Sequence, residues 1–449
     1  MKKILSLLIA LLLLLFSFSG CSSDTKLDPN NPVTLTMWHV YGSQTESPLN
    51  DAIDEFNKTK GKELGIVVNV VSVTDSTSID EALMASANNS PGAASLPDLF
   101  TAYPRVAEQI GTDKLLDWSA YFNDEELGCY VDDFLTEGYF GDQLLMLPIA
   151  KSSELFFLNQ TLYDRFSADT GMTTAELSTF EGIFTACDRY YDWSDGQSMF
   201  QINDFYHYFL VNIDAFGGAF IKDGKIDKSS SEFQTVFEPM ARAAIYGGLC
   251  VGDGYASDRW KTGEIICNIG STAGILYLRD YVTYTDNTTE DIQLSTFPYP
   301  VFQGASATAI HRGGGLFAVK NEDERKNEAA AMFAKWITQS ESNLKFVTES
   351  GYLPATDEAY QTLFSDMSIV ENEKYRMLYE TVSNMDEYTF CALPRYESAG
   401  ETQTDFEKDV KAALSAAHED YISRTQAGED ADVVMEELLA SSLAEIQNS

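Results

Sequence analysis

Basic residues are scarce: 30 Lys and Arg stand against 69 Asp and Glu, a formal net charge of −39. Nucleic-acid binding needs clustered cations against phosphate, so this balance excludes it. The same acidity repels anionic membrane surfaces and keeps a chain soluble. Histidine is rarer still. None of His39, His207, His311 and His418 lies at helical i, i+4 spacing to another, so no metal site is expected. The six cysteines are scattered, with no CxxC pair, so no disulfide framework is expected; Cys250 and Cys267 would be the first pair to consider. Also absent are the G-x-S-x-G elbow, the Walker loop and G-x-G-x-x-G. Gly313–Gly314–Gly315 precedes a strand, whereas a phosphate-cradling loop follows one and opens a helix. The acidic residues leave room for a glycosidase carboxylate pair, but nothing singles one out. No cofactor and no enzymatic activity are expected.

Long apolar runs are lacking too. Ile4 to Phe16 is the sustained one, and it falls short of the about 20 residues that span a bilayer. Behind Lys2 and Lys3, and before small residues, it reads as a secretory signal over residues 1–20. Cys21 directly after Ser19–Gly20 resembles a bacterial lipobox, with Phe18 where leucine is usual. The resemblance implies lipidation of Cys21, a tether over 21–32, and a protein held on the outer face of the cell membrane, or in the periplasm, by lipid alone.

What is present is core material: 44% hydrophobic and 12% aromatic residues over 449 positions, enough for two domains of ordinary size. Val33 to His39 alternates as a strand. Ser47 and Pro48 then open a helix carrying Leu49, Ala52, Ile53 and Phe56. Strands at 66–73 and 96–103 alternate with helices, the pattern of a parallel α/β sheet with its ligand face at the carboxyl ends of the strands. Further on, Gly313 to Thr356 reads as a strand, two helices and a fixed turn. The first helix carries Ala329, Met332, Phe333, Trp336 and Ile337 at i, i+3, i+4, i+7 and i+8. The turn is Gly351–Tyr352–Leu353–Pro354.

This last stretch resembles the extracellular solute-binding proteins of ABC importers, family 1, which bind sugars and glycerol phosphates. Glu328–Ala329–Ala330, Phe333, Lys335–Trp336–Ile337–Thr338, Glu341 and Gly351–Tyr352–Leu353–Pro354 follow that family's order. Trp38–His39, Glu55–Phe56–Asn57, Pro97–Asp98, Leu147–Pro148 with Leu158–Asn159, and Gly217–Gly218 with Asp223–Gly224–Lys225 extend the likeness over nearly the whole chain. Leu158 stands where the family has tyrosine. The resemblance implies an α/β, two-lobed, periplasmic-binding-protein-like fold of type II with the ligand cleft between hinged lobes. The first lobe is expected over 33–148 plus 292–340, the second over 152–291 plus 341–449. It further implies a monomer that captures a carbohydrate or a polyol phosphate and hands it to ABC permease subunits.

Candidate ligand contacts follow from position. Tyr41 and Tyr103 sit at strand ends, where flat rings can stack on sugar C–H faces. Ser152 and Ser153 lie at the expected lobe crossing, with a structural turn as the plainer reading. Tyr206 stands in an aromatic helix that is more ordinarily core. Ser271 opens a helical turn and would either bind ligand oxygen or cap the turn. Gly314 could offer its N–H. By resemblance, Tyr352 of the G-Y-L-P turn and Arg395 downstream would contact the ligand, and an arginine fork suits phosphate or carboxylate.

Overall fold

The computed structural model describes residues 26–42, 47–73, 76–396 and 398–449. The signal segment, Cys21 and the start of the tether lie outside the described residues. The strands that organise the fold are β1 (Val33–His39), β2 (Ile66–Val73), β3 (Leu99–Ala102), β4 (Glu154–Asn159), β5 (Phe200–Ile202), β6 (Leu249–Cys250), β7 (Cys267–Ser271), β8 (Leu294–Phe297), β9 (Thr308–His311), β10 (Gly315–Ala318) and β11 (Thr389–Ala392). The helices that matter for the site are α1 (Pro48–Lys58), α2 (Ser76–Ala87), α3 (Phe205–Ala215), α4 (Glu324–Ile337), α5 (Ser340–Thr348) and α6 (Ala399–Gln426).

Two sheets form the centres of two lobes. The first has the order β10-β3-β1-β2, with β1 parallel to both β2 and β3 and β10 antiparallel to β3. The second has the order β6-β5-β7-β4-β8. Here β5 runs parallel to β6 and β7, while β4 is antiparallel to β7 and β8. The sheets have separate apolar cores: Leu35, Phe56, Phe333 and Ile337 form one cluster about the first and Ile79, Phe100, Val106 and Phe317 another, while Phe156, Phe209, Trp260 and Leu414 belong to the second.

Local chemistry explains these elements. The Ser47 side chain accepts from the Asn50 backbone N–H and Pro48 takes the first helical position, so α1 begins where its donors are met. Its buried face is Leu49, Ala52, Ile53 and Phe56, and Phe56 meets Phe333 and Trp336 of α4 with ring centroids 5.2 and 5.3 Å apart.

Three segments cross between the lobes and are bridged to one another. Leu147 pairs with Leu316, Ser152 with Arg312, and Lys151 with Leu353. Gly351, at φ +74°, turns the third segment, and a Cβ there would lie 2.7 Å from the Thr272 carbonyl oxygen. The sheets differ from the sequence reading in two places. Residues 294–297, expected with the first lobe, form β8 against β4 of the second sheet. Helix α5, expected with the second lobe, buries Phe346 and Val347 in the first core. In both cases the pairing partner is distant in sequence, so chain order gave no clue to it.

Candidate functional site

Between the lobes lies a cleft of about 1040 Å³, at the upper end of the roughly 300–1,000 Å³ usual for small-molecule sites. Its first-lobe wall follows from the ends of β1 and β3. There His39 Nε2 donates to Asn50 Oδ1 at 2.9 Å, while its Nδ1 accepts from the Tyr41 N–H. Burial holds the His39 ring well below its ordinary pKa, at about 4, so it is a neutral prop for Tyr41. Tyr41 packs edge-on to Tyr352 at 4.8 Å, and both pack on Phe346. Gly314 brings backbone against backbone at this wall: a Cβ would fall 2.1 Å from the Ala102 carbonyl oxygen.

The floor belongs to the second lobe and is charged. Asp204 caps α3 by accepting from the His207 N–H at 2.8 Å, and Gln403 Nε2 donates to its other oxygen. Glu407 on α6 accepts from the Tyr206 N–H at 2.7 Å. Two acidic side chains therefore fill the start of α3, where the helix dipole and free N–H groups favour negative charge. Burial pushes Asp204 up, but His207, Arg312 and the capping N–H outweigh it and hold Asp204 below its usual range. Glu407 is pushed the other way, to about 8, by burial first and then by Asp204. Arg312, on the second crossing, is ion-paired with Glu154. Burial opposes its charge, yet Tyr103, Glu154 and Asp204 raise its pKa overall.

Three of the cleft's other cations are similarly engaged, and Lys408, also in its lining, has no ion pair among the described residues. Lys261 pairs with Asp258 at 2.8 Å, Lys411 with Glu407 at 3.3 Å, and Arg105 with Asp80 at 2.7 Å while lying over the Tyr103 ring.

Of the residues marked from sequence, Tyr41, Tyr103, Ser152, Ser271, Gly314 and Tyr352 line this cleft together. Ser271 Oγ accepts from the Ala273 N–H and so caps its turn. Ser152 Oγ donates to the Arg312 carbonyl, within the crossing. Ser153 is buried behind the cleft and is not part of its lining. Tyr206 and Arg395 line a smaller neighbouring cavity of about 340 Å³. There the Tyr206 hydroxyl faces that of Tyr396 at 3.4 Å. Arg395 Nη1 donates to the carbonyls of Glu137 and Tyr139, and its guanidinium lies over Phe140.

Sequence reasoning passed over Asp204, His207, Asn268, Tyr255, Tyr277, Gln403 and Glu407, all in the lining. Asn203–Asp204 at a strand end before a helix was a readable cap signal. The polar stripe Gly400, Gln403, Thr404, Glu407 and Lys411 on α6 was not, because a solvated helix face looks the same in sequence. The five described cysteines are free thiols. Among the described residues, no group of three or more His, Cys, Asp and Glu side chains is placed to hold a metal, and no helix is long and apolar enough to cross a membrane.

Known structures share this architecture. A cyclic α-maltosyl-1,6-maltose binding protein from Arthrobacter globiformis superposes with a TM-score of 0.63 at 17% identity, covering 93% of this chain and 100% of its own. UgpB from Mycobacterium tuberculosis, solved with glycerophosphocholine, gives 0.66 at 15% identity, covering 93% and 99%. The Listeria monocytogenes protein Lmo0181, solved with cycloalternan, gives 0.65 at 14%, again covering 93% and 99%. At such identities the likeness establishes the two-lobed fold. No curated protein matches the chain by sequence. The sequence profile of one family does, over residues 51–374. By that match the chain belongs to the bacterial extracellular solute-binding proteins.

Proposed function

We propose that the protein captures an uncharged carbohydrate, a mono- or oligosaccharide, outside the cell, closes its lobes over it, and delivers it to the permease of an ABC importer. One observation carries this choice of ligand. The cleft's Arg105, Lys261, Arg312 and Lys411 are each paired with a carboxylate, and the start of α3 is filled by Asp204 and Glu407. Of the lining cations only Lys408, on the solvent-facing side of α6, stands outside these pairs among the described residues. An anion at any of the other four would have to break a pair, whereas sugar hydroxyls can bond to the pairs' free edges. Tyr103, Tyr255, Tyr277 and Tyr352 supply the flat faces that sugar rings stack on, with Tyr41 buried behind Tyr352. Ligand contacts from both lobes favour the closed state, which is the mechanism of hinge closure; no covalent step is part of it.

A second reading, sn-glycerol 3-phosphate or a phosphodiester as ligand, draws support from the likeness to the glycerophosphocholine-bound UgpB. It requires a phosphate-binding arginine, and Arg312 and Arg395 are already bonded to Glu154 and to backbone carbonyls. The family places the protein outside the cytoplasm; lipidation at Cys21 would hold a monomer at the membrane.

Thermal denaturation with maltose, maltotriose, xylotriose, sn-glycerol 3-phosphate and glycerophosphocholine decides between the readings, because a ligand of the native state raises the melting temperature. A shift with a saccharide is expected. A shift confined to the phosphate esters would transfer the assignment to them, and cleavage of an oligosaccharide on incubation would make the protein a glycoside hydrolase instead.

A further inference from the structure

We infer that His207 and Asn268 bind the ligand, and that they read hydroxyl hydrogens. The inference deepens the carbohydrate reading and rests on it for the class of ligand. Both residues line the cleft, and both are almost fully buried, with 1% and 3% exposure. Each carries a buried polar atom with no partner in the protein: Nε2 of His207 and Oδ1 of Asn268. Folding normally leaves such atoms bonded, since an orphaned one keeps its full desolvation penalty. At the floor of a ligand cleft, the natural partner is the ligand.

The geometry also fixes what that partner must be. His207 Nδ1 lies 3.1 Å from Glu154 Oε1 and 3.3 Å from Asp204 Oδ2. Arg312 donates to the same Glu154 oxygen, so that carboxylate oxygen acts as an acceptor, and the imidazole must present its proton on Nδ1. In the neutral ring the other nitrogen is then a lone pair. The Glu154 carboxylate thus turns His207 Nε2 into an acceptor, as Asn268 Oδ1 already is. Gly270 keeps the space beside Asn268 open: a Cβ there would fall 3.3 Å from the Asn268 amide nitrogen and 2.5 Å from that of Asn203. Two acceptors on one floor require two donors, which adjacent hydroxyls of a sugar ring supply. A phosphodiester group has only acceptors and cannot satisfy either atom, so in a glycerol phosphate ester the glycerol hydroxyls would have to do it.

The test has two arms on the full-length protein at pH 8. In the first, long-range proton–nitrogen NMR of the histidine rings identifies His207 by the signal lost in His207→Asn. The expected result, with no ligand present, is the Nδ1–H form. An Nε2–H form overturns the inference whatever the protein binds. In the second arm, affinity for the saccharide that stabilises the wild type is measured by calorimetry. His207→Asn places an amide near Nδ1 and keeps the Glu154 contact but removes Nε2, and should weaken binding by about 10- to 100-fold. His207→Gln, whose amide reaches the Nε2 position, should recover part of that loss, and Asn268→Ala should lose about tenfold. Unchanged affinity in folded His207→Asn and Asn268→Ala overturns the inference while leaving the carbohydrate reading intact. If no saccharide binds, the carbohydrate reading fails, and with it the hydroxyl-donor assignment.

Discussion

At the scale of single residues, Tyr352 and His39 show how one side chain can serve wall and fold together. Tyr352 is pinned by its neighbours: its carbonyl accepts from the Tyr379 hydroxyl at 2.8 Å, and its ring meets Tyr41. Replacing it with alanine removes the ring from the cleft wall, and the affinity for the bound saccharide should fall by more than about tenfold, ~1.4 kcal/mol. Tyr352→Phe should keep most of the binding if the ring face is what matters; calorimetry on both variants separates the ring from the hydroxyl. His39 predicts a pH effect. Folded, its pKa is about 4 against 6.5 unfolded, so the unfolded chain binds more protons between those values. Stability from His39 is complete above about pH 6.5 and is lost as pH falls toward 4. Going from pH 7.5 to 5 should therefore narrow the gap in unfolding free energy between wild type and His39→Gln by about 2 kcal/mol, read from urea midpoints. Some of this was legible in sequence: the glycine and proline around Tyr352 announce a fixed turn. His207 announced nothing. A lone histidine in an aromatic helix carries no sign of Glu154, which comes from a strand far away in the chain.

At the scale of elements, the α/β alternation of the first hundred residues was readable because periodicity and caps are local. The Ser47–Pro48 start of α1 fell where the sequence put it. What could not be read was allegiance. A strand such as β8 records which of its faces is buried but not which sheet it will join, and α5 carries an apolar stripe that either lobe could have covered. The third crossing offers a direct check. Gly351→Ala would place a side chain at φ +74° and against the Thr272 carbonyl. A loss of about 1–3 kcal/mol is expected, seen as a lower urea midpoint with an unchanged m-value. A neutral substitution would show that this crossing gives way easily.

At the scale of the whole molecule, separate lobe cores joined by three bridged crossings suit a hinge that bends without coming apart. Closure on ligand should shorten the radius of gyration in solution scattering, with the saccharide that raises the melting temperature and not with a non-binding sugar. Equal radii in both conditions would mean that capture does not involve lobe movement. The two-lobed plan was legible from motif order, since the turn residues and hinge dipeptides survive as local signals. Beyond Ser152 and Ser271, the site was legible only on its first-lobe side. There it is made of tyrosines and glycines at strand ends, whereas the floor is assembled from α3, α6, β4 and the second crossing, whose meeting is purely tertiary.

The position of β10 has a further consequence. It completes the first sheet by pairing with β3, yet it is made long after β3 has left the ribosome. Until Gly315–Ala318 emerges, the Leu99–Ala102 strand presents a bare edge, with Phe100 lacking its stacking partner Phe317. Such an edge invites pairing with other chains. A truncated product ending before residue 315 would keep that edge bare, and the first sheet is complete only once most of the polypeptide has been translated.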